Sequence, residues 1–174
     1  MTADLINPTI PLPHASTDGS TVVATVCIAA SPERIFQALT TNEVETWWGS
    51  PDTYRVTDWD AVVCLGGHWK LVVRLPDGRT FPASGTFLKL TPNKIVQTRR
   101  YNWDHPTLAR TDTLVTYLLD ETEDGTRVTV RHEGFAGRRA AAEEHVAGWV
   151  RFLGWLEGYL RNSPNEKSLP THWR

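Results

Sequence analysis

Sulfur is scarce in this sequence, which has two cysteines, Cys27 and Cys64, and one methionine in 174 residues. Two thiols without a Cys-x-x-Cys spacing exclude a disulfide scaffold and a cysteine-built metal site. Each lies in an apolar, strand-like run, and two buried, unpaired thiols point to a reducing cytoplasm. An excess of charge is also missing. Eighteen Lys and Arg stand against 20 Asp and Glu, for a formal net charge of −2. The clustered basic face of a nucleic-acid binder is therefore not expected, and Arg99-Arg100 and Arg138-Arg139 read as isolated, solvated pairs. No apolar run approaches the roughly 18 residues of a membrane span, so membrane insertion is not expected. The segment 1–20 carries Pro8, Pro11 and Pro13 but no basic start and apolar core, and does not read as a signal peptide.

Familiar catalytic signatures are lacking too. The chain has no Gly-x-Ser-x-Gly elbow, no phosphate-cradling glycine loop and no His-Glu-x-x-His helix. Glu144 and His145 are neighbours on a helical pattern and project about 100° apart, so they do not chelate together. Asp104-His105 beside Pro106 reads as a turn, with a proton-transfer pair as the alternative. No metal and no cofactor is expected.

What the chain does have is tryptophan, eight residues of it, several on the inward side of alternating patterns. The segment 1–20 reads as an irregular arm, and 21–29 as a first, β-branched strand. Ser31 is placed to cap a helix, with Pro32 in its first turn and the helix continuing over 34–39. A second short helix follows over 43–48, stopped by Gly49 and Pro51. From 54 to 133 the segments are short, β-rich and divided by turns at Pro76-Asp77-Gly78, Thr91-Pro92-Asn93 and Glu123-Asp124-Gly125. The span 138–160 is the longest helical pattern. His145, Trp149, Phe152, Leu156 and Tyr159 step by four, three, four and three, which makes one continuous stripe. The remainder, 163–174, reads as a tail, so the domain proper is 21–162.

The pieces Ser31-Pro32-Glu33-Arg34-Ile35-Phe36, Trp47-Trp48-Gly49, Gly66-Gly67-His68-Trp69, the run from Asp124-Gly125 to Gly134-Phe135, and the Gly148-Trp149 helix occur in a recognisable order. In that order the chain, over roughly 21–162, resembles the family of homologues of the activator of heat-shock-protein-90 ATPase, within the START-like, birch-pollen-allergen-like (SRPBCC) superfamily. The resemblance implies an α+β helix-grip fold, in which a curved antiparallel sheet wraps a long C-terminal helix and two short helices follow the first strand. It implies a cavity between sheet and helix, used in the superfamily for apolar or amphipathic small molecules and by a few members for cyclase, aromatase or hydrolase chemistry. The namesake domain instead touches a chaperone and stimulates its ATPase. This chain departs from the pattern in two places. Ala61-Val62-Val63-Cys64-Leu65 replaces a stretch that in relatives carries an acid and an arginine, and Gln97 and Arg99 stand where large apolar residues are usual.

Period-two geometry puts Ile95, Gln97, Arg99, Tyr101 and Trp103 on one strand face. If that face points inward, Arg99 must meet an acidic side chain or an anionic ligand group, because a lone buried charge is costly. If the strand is rotated or at an edge, Arg99 is solvated. His132 is in phase with Val128 and Val130, as either a satisfied structural histidine or a ligand contact. Tyr117 alternates with Val115 and Leu119, and its phenol needs a partner. Trp69 alternates with Leu71 and Val73. Of Trp47 and Trp48, one is core and the other rim.

The favoured reading is a binding protein for a small hydrophobic or amphipathic molecule. The site expected from these positions comprises Trp48, Trp69, Phe87, Arg99, Tyr101, Tyr117, His132, Trp149 and Phe152. The alternatives are a cyclase- or hydrolase-type enzyme using His132 or Tyr117, and a co-chaperone-like module with a protein partner. Monomer and homodimer are both open.

Overall fold

The computed structural model describes residues 11–163. The outer part of the N-terminal arm and nearly all of the proposed C-terminal tail lie outside the described residues. Within them the chain runs β1 (His14–Thr17), β2 (Thr21–Ile28), α1 (Pro32–Thr40), α2 (Val44–Trp47), β3 (Arg55–Ala61), β4 (His68–Arg74), β5 (Thr80–Thr91), β6 (Lys94–Tyr101), β7 (Thr113–Thr122), β8 (Gly125–Glu133) and α3 (Arg139–Arg161). The strands form one antiparallel sheet in the order β1-β2-β8-β7-β6-β5-β4-β3. This is the α+β helix-grip architecture. One detail differs, since His14–Thr17, inside the segment read as irregular, pairs with β2 as an edge strand.

Local chemistry explains the element boundaries. The Ser31 side chain accepts from the Arg34 backbone N–H at 3.2 Å, and Pro32 opens α1, where its missing N–H costs nothing. All three sequence-predicted turns join consecutive strands. At the last of them Gly125 has φ +151°, and a Cβ there would run into the Ile28 carbonyl oxygen, so only glycine fits. Two bulges bend the sheet, one between Phe87 and Lys89 and one between Thr57 and Asp60. At the second, Asp58 takes φ 54°, and the extra residue adds bend and twist to an already twisted sheet.

The curved inner face carries the core. Val22, Ala24, Val26 and Ile28 of β2 are buried, as are Val128, Val130 and His132 of β8, Val115, Tyr117 and Leu119 of β7, and Ile95, Gln97 and Arg99 of β6. From α3, Trp149, Phe152, Leu153 and Leu156 are buried against it, each contributing roughly 1.5–3 kcal/mol by leaving water. The close backbone approaches of α3 are to β1 and β2. At the other end of the stripe, the Tyr159 hydroxyl donates to Glu43 Oε1 at 2.8 Å, and Glu43 receives both terminal nitrogens of Arg34 at 2.8 Å. That cluster ties α1, the start of α2 and α3 together.

The reading of Cys27 and Cys64 as buried is corrected, since both are exposed and free. Cys27 alternates with buried Val26 and Ile28, so the pleat turns it outward, and Cys64 lies in the loop between β3 and β4. An apolar run of period two sends every second residue to solvent, whatever its polarity. Among the described residues no helix is long and apolar enough to cross a membrane.

Candidate functional site

The sheet–helix interface is built around a cation. Arg99 lies on the inner face of β6, a strand with neighbours on both sides, and its side chain is only 7% exposed. Its neighbour Arg100 points the other way and pairs with Asp112 at 3.5 Å on the outer face, so the two arginines are separated by the sheet. The Arg99 guanidinium carbon stands 4.9 Å from the ring centroid of Trp149, 5.4 Å from Trp48 and 5.9 Å from Trp69. One terminal nitrogen donates to the Tyr117 hydroxyl at 3.4 Å, a long contact. Among the described residues no carboxylate pairs with it, and three indole faces surround it instead. Such faces attract the centre of a cation but do not accept its in-plane N–H groups.

Behind this cage runs a chain of hydrogen bonds that sets the tautomer of His132. Trp149 donates its indole N–H to His132 Nδ1 at 3.1 Å, which leaves the ring proton on Nε2. Nε2 lies 2.8 Å from Thr113 Oγ1 and donates to it, and that hydroxyl donates to the Arg99 carbonyl at 2.9 Å. His132 is wholly buried, and burial, reinforced by the Arg99 charge, holds its pKa well below the usual histidine value. Both of its nitrogens are committed within the protein. It positions the strand that carries Arg99 and has no atom to spare for a guest or a proton transfer.

A hollow open to solvent lies where β5 begins and β6 ends, and it shares Tyr101 with the interface. Tyr54, Val73, Phe81, Ala83, Tyr101, Trp103, His105, Glu144, His145, Gly148 and Arg151 line this hollow of about 200 Å³ between the sheet and α3. Here His145 donates from Nδ1 to the Ala141 carbonyl at 2.8 Å, so Nε2 accepts from the Tyr101 hydroxyl at 2.9 Å. His105 stacks on Tyr101 with centroids 5.0 Å apart, its Nδ1 taking the backbone N–H groups of Thr107 and Leu108. Asp104 pairs with Arg110 at 2.9 Å and not with His105, and the turn begins one residue later, at Pro106. Burial lowers the pKa of both His105 and His145, so the mouth is uncharged at its histidines near neutral pH. Burial also raises the Tyr101 and Tyr117 phenols, with Arg99 working in the opposite direction.

Of the nine residues singled out from sequence, Trp48, Trp69, Arg99, Tyr101, Tyr117, Trp149 and Phe152 come together at this interface. His132 stands behind it as scaffold. Phe87 is buried in the same core, and its backbone N–H donates to the Gly67 carbonyl while its carbonyl accepts from the Gly66 N–H, anchoring the loop before β4. Trp47 is the core member of its pair, bonding Ala38 O at 3.0 Å, and half-buried Trp48 is the rim member. Sequence reasoning missed the mouth, although the alternation of Phe81, Ala83, Gly85 and Phe87, and Gly148 one turn beyond His145, were readable signals. A larger hollow of about 640 Å³ lies on the opposite, outer face, where Lys70 pairs with Asp60 and Arg100 with Asp112. Its charges are paired and its floor is open sheet, so the aromatic interface is the better candidate.

The loop 62–67 adds a second surface. Val62 is 62% exposed and Leu65 75% exposed, with Val63 and Leu88 also open. Val62, Val63 and Leu65 belong to the stretch that departs from the resembled pattern, and Leu88 on β5 adds to the same open surface.

Several solved structures share the fold. A Rhodobacter sphaeroides protein is 21% identical with a TM-score of 0.73, covering 86% of this chain and 98% of its own. A Chromobacterium violaceum protein is 22% identical with a TM-score of 0.72, covering 83% and 99%. An Arthrobacter aurescens protein is 19% identical with a TM-score of 0.72, covering 92% and 96%. At such identities the likeness is one of fold. No curated protein sequence matches the chain. The model of the family described as activator of Hsp90 ATPase homolog 1-like protein matches residues 29–161, and the chain belongs to that family.

Proposed function

We propose that this protein takes up a small hydrophobic or amphipathic molecule between its concave sheet and α3, entering past Tyr101, Trp103, His105 and His145. Gly148 carries this reading. A glycine inside a helix costs roughly 1 kcal/mol relative to alanine. This one lines the mouth, and a Cβ built on it meets no atom within 4 Å. The helix thus gives up stability where a side chain would fit, and the space stays open. About 200 Å³ is below the roughly 300–1,000 Å³ of sites for drug-sized ligands, which suits a compact guest of one or two rings. Acid–base chemistry at His132 is not proposed, because neither ring nitrogen is free. The two free thiols suit a reducing compartment, and the cytoplasm is the proposed location.

The test is a thermal-shift screen of aromatic acids, fatty acids, sterol-like and polyketide-like compounds on the native protein and on Gly148→Phe. A ligand at about a hundred times its dissociation constant stabilises by roughly 2.7 kcal/mol, a melting shift of about 5–10 °C at this chain length. The shift should vanish in Gly148→Phe while its unliganded melting temperature is kept. Equal shifts in both proteins, or none in either, would show the reading to be wrong.

The exposed patch at Val62, Val63, Leu65 and Leu88 supports a second reading, a docking surface for a protein. The family description names the partner class to try, an Hsp90-type chaperone. Stimulation of its ATPase by the native protein and not by Leu65→Asp would support this. No stimulation by either would remove it.

A further inference from the structure

The interior has a surplus of hydrogen-bond donors. Arg99 brings five N–H groups, and among the described residues no carboxylate meets them. The acceptors beside it are phenols, the Tyr117 hydroxyl at 3.4 Å and the neighbouring Tyr101 hydroxyl. Two of the three indoles that surround it, Trp48 and Trp69, have buried Nε1–H groups with no acceptor. Trp69 is 2% exposed, and its indole lies over Gly85, its cross-strand partner, with Nε1 at the spot a Cβ would occupy. A buried donor without a partner is costly in any fold, and a buried cation more so. Here one cation and two such donors share one cage. Burial holds the pKa of His132 behind the cage well below its usual value, and aromatic faces offer no in-plane acceptor. These donors together suit one group with negative charge and at least two acceptor lone pairs.

We propose that the molecule taken up by this protein is an acid, whose carboxylate is received by Arg99 with the N–H groups of Trp48 and Trp69 as supporting donors. The proposal rests on the uptake reading above and names the chemical class of its guest. The ligand's apolar body lies in the mouth, against Phe81, Tyr101, Trp103 and the open side of Gly148. Its carboxylate comes in past Tyr101, the residue that both lines the mouth and touches the Arg99 side chain. A planar guanidinium binds a carboxylate through two parallel hydrogen bonds, which an ammonium does not reproduce.

The experiment compares matched pairs by calorimetric titration of the full chain, 2-naphthylacetate with 2-naphthylacetamide and decanoate with decanol. On the native protein the acids should bind at least about tenfold more tightly than their neutral partners, the least expected of a buried charge-assisted pair. Arg99→Gln should abolish that preference, and Arg99→Lys should restore it only in part. The indole N–H resonances of Trp48 and Trp69 should move downfield with the acids alone, a readout on the native protein that does not depend on the variants folding. Acids and neutral analogues binding equally to the native protein would overturn the proposal and leave uptake standing. No binding of either kind, with Gly148→Phe indistinguishable from native, would overturn both.

Discussion

Trp149 on α3 donates its indole N–H to Nδ1 of His132 on β8, at 3.1 Å. This single bond crosses the helix–sheet interface, selects the tautomer of a buried imidazole and connects through Thr113 to the backbone of Arg99. Trp149→Ala is therefore expected to cost about 3–5 kcal/mol, the range for deleting a large buried aromatic. Trp149→Phe keeps most of the ring but strands the His132 acceptor, and should cost about 1–3 kcal/mol. Urea unfolding of both variants measures this, and two unchanged midpoints would contradict the assignment of the stripe to the core.

His132 predicts a pH dependence. Its folded pKa lies well below its ordinary value through burial and the Arg99 charge, so the unfolded chain binds this proton first as pH falls. The stability is fully present above about pH 6.5, the unfolded value. It is lost on acidification with a slope approaching about 1.4 kcal/mol per pH unit from this residue. Unfolding free energies at pH 7.5, 6.0 and 5.0 check the sign. A flat profile over that range would mean that His132 is charged in the fold.

The Arg34–Glu43–Tyr159 cluster joins all three helices, and its ion pair is mostly buried, with side chains 13% and 22% exposed. Burial opposes the Glu43 carboxylate, but Arg34 and the Tyr159 hydroxyl together hold its pKa below the usual range. Its contribution is present above the unfolded carboxylate value and lost as pH falls through the folded one. Removing Glu43 leaves Arg34 without its partner, and Glu43→Ala should cost about 2 kcal/mol at pH 7. The cost should shrink at low pH, which denaturation of the variant beside the native protein would show.

Two glycines should respond in opposite directions. Gly148→Ala faces open space in a helix interior and should gain about 0.5–1 kcal/mol. Gly85→Ala would drive a methyl group into the Thr98 carbonyl oxygen and the Trp69 indole, and should lose about 1–3 kcal/mol. Melting temperatures of the pair are sufficient, and a loss in Gly148→Ala would mean that the mouth is already filled.

Cys27 and Cys64 should both be titrated by a thiol reagent under native conditions, because both are exposed and unpaired. A titre of two before denaturation, unchanged after it, is the expected outcome. Protection of either thiol until unfolding would return that residue to the interior.

Much of the fold was legible along the chain because its causes are local. A serine before a proline opens α1, Asp-Gly and Pro-Asn turns separate strands, and a four-three stripe marks α3. Alternation assigned the faces correctly for Val115, Tyr117 and Leu119, and for Val128, Val130 and His132. Strand β1 escaped notice because four residues of mixed polarity carry no pattern of their own and are held as a strand by pairing with β2. The cysteines were misplaced for a related reason, since a run of apolar residues does not say which alternate set the sheet turns inward.

By itself the sequence determined most of the elements and their order, because hydrogen-bonded turns, caps and side-chain periodicity act over a few residues, while the class of fold came from the family resemblance. Only the tertiary structure decided what surrounds Arg99. Trp48 comes from the end of α2, Trp69 from β4 and Trp149 from α3, and no spacing along the chain relates them. The bulges that bend the sheet and the seating of α3 on β1 and β2 bring them to one guanidinium, and leave that charge without an acid. Packing also committed both nitrogens of His132, turning a residue that sequence left open between ligand contact and scaffold into scaffold. A side chain's chemistry is written in its identity, but the partners that satisfy it, or fail to, are set by which surfaces the fold presses together.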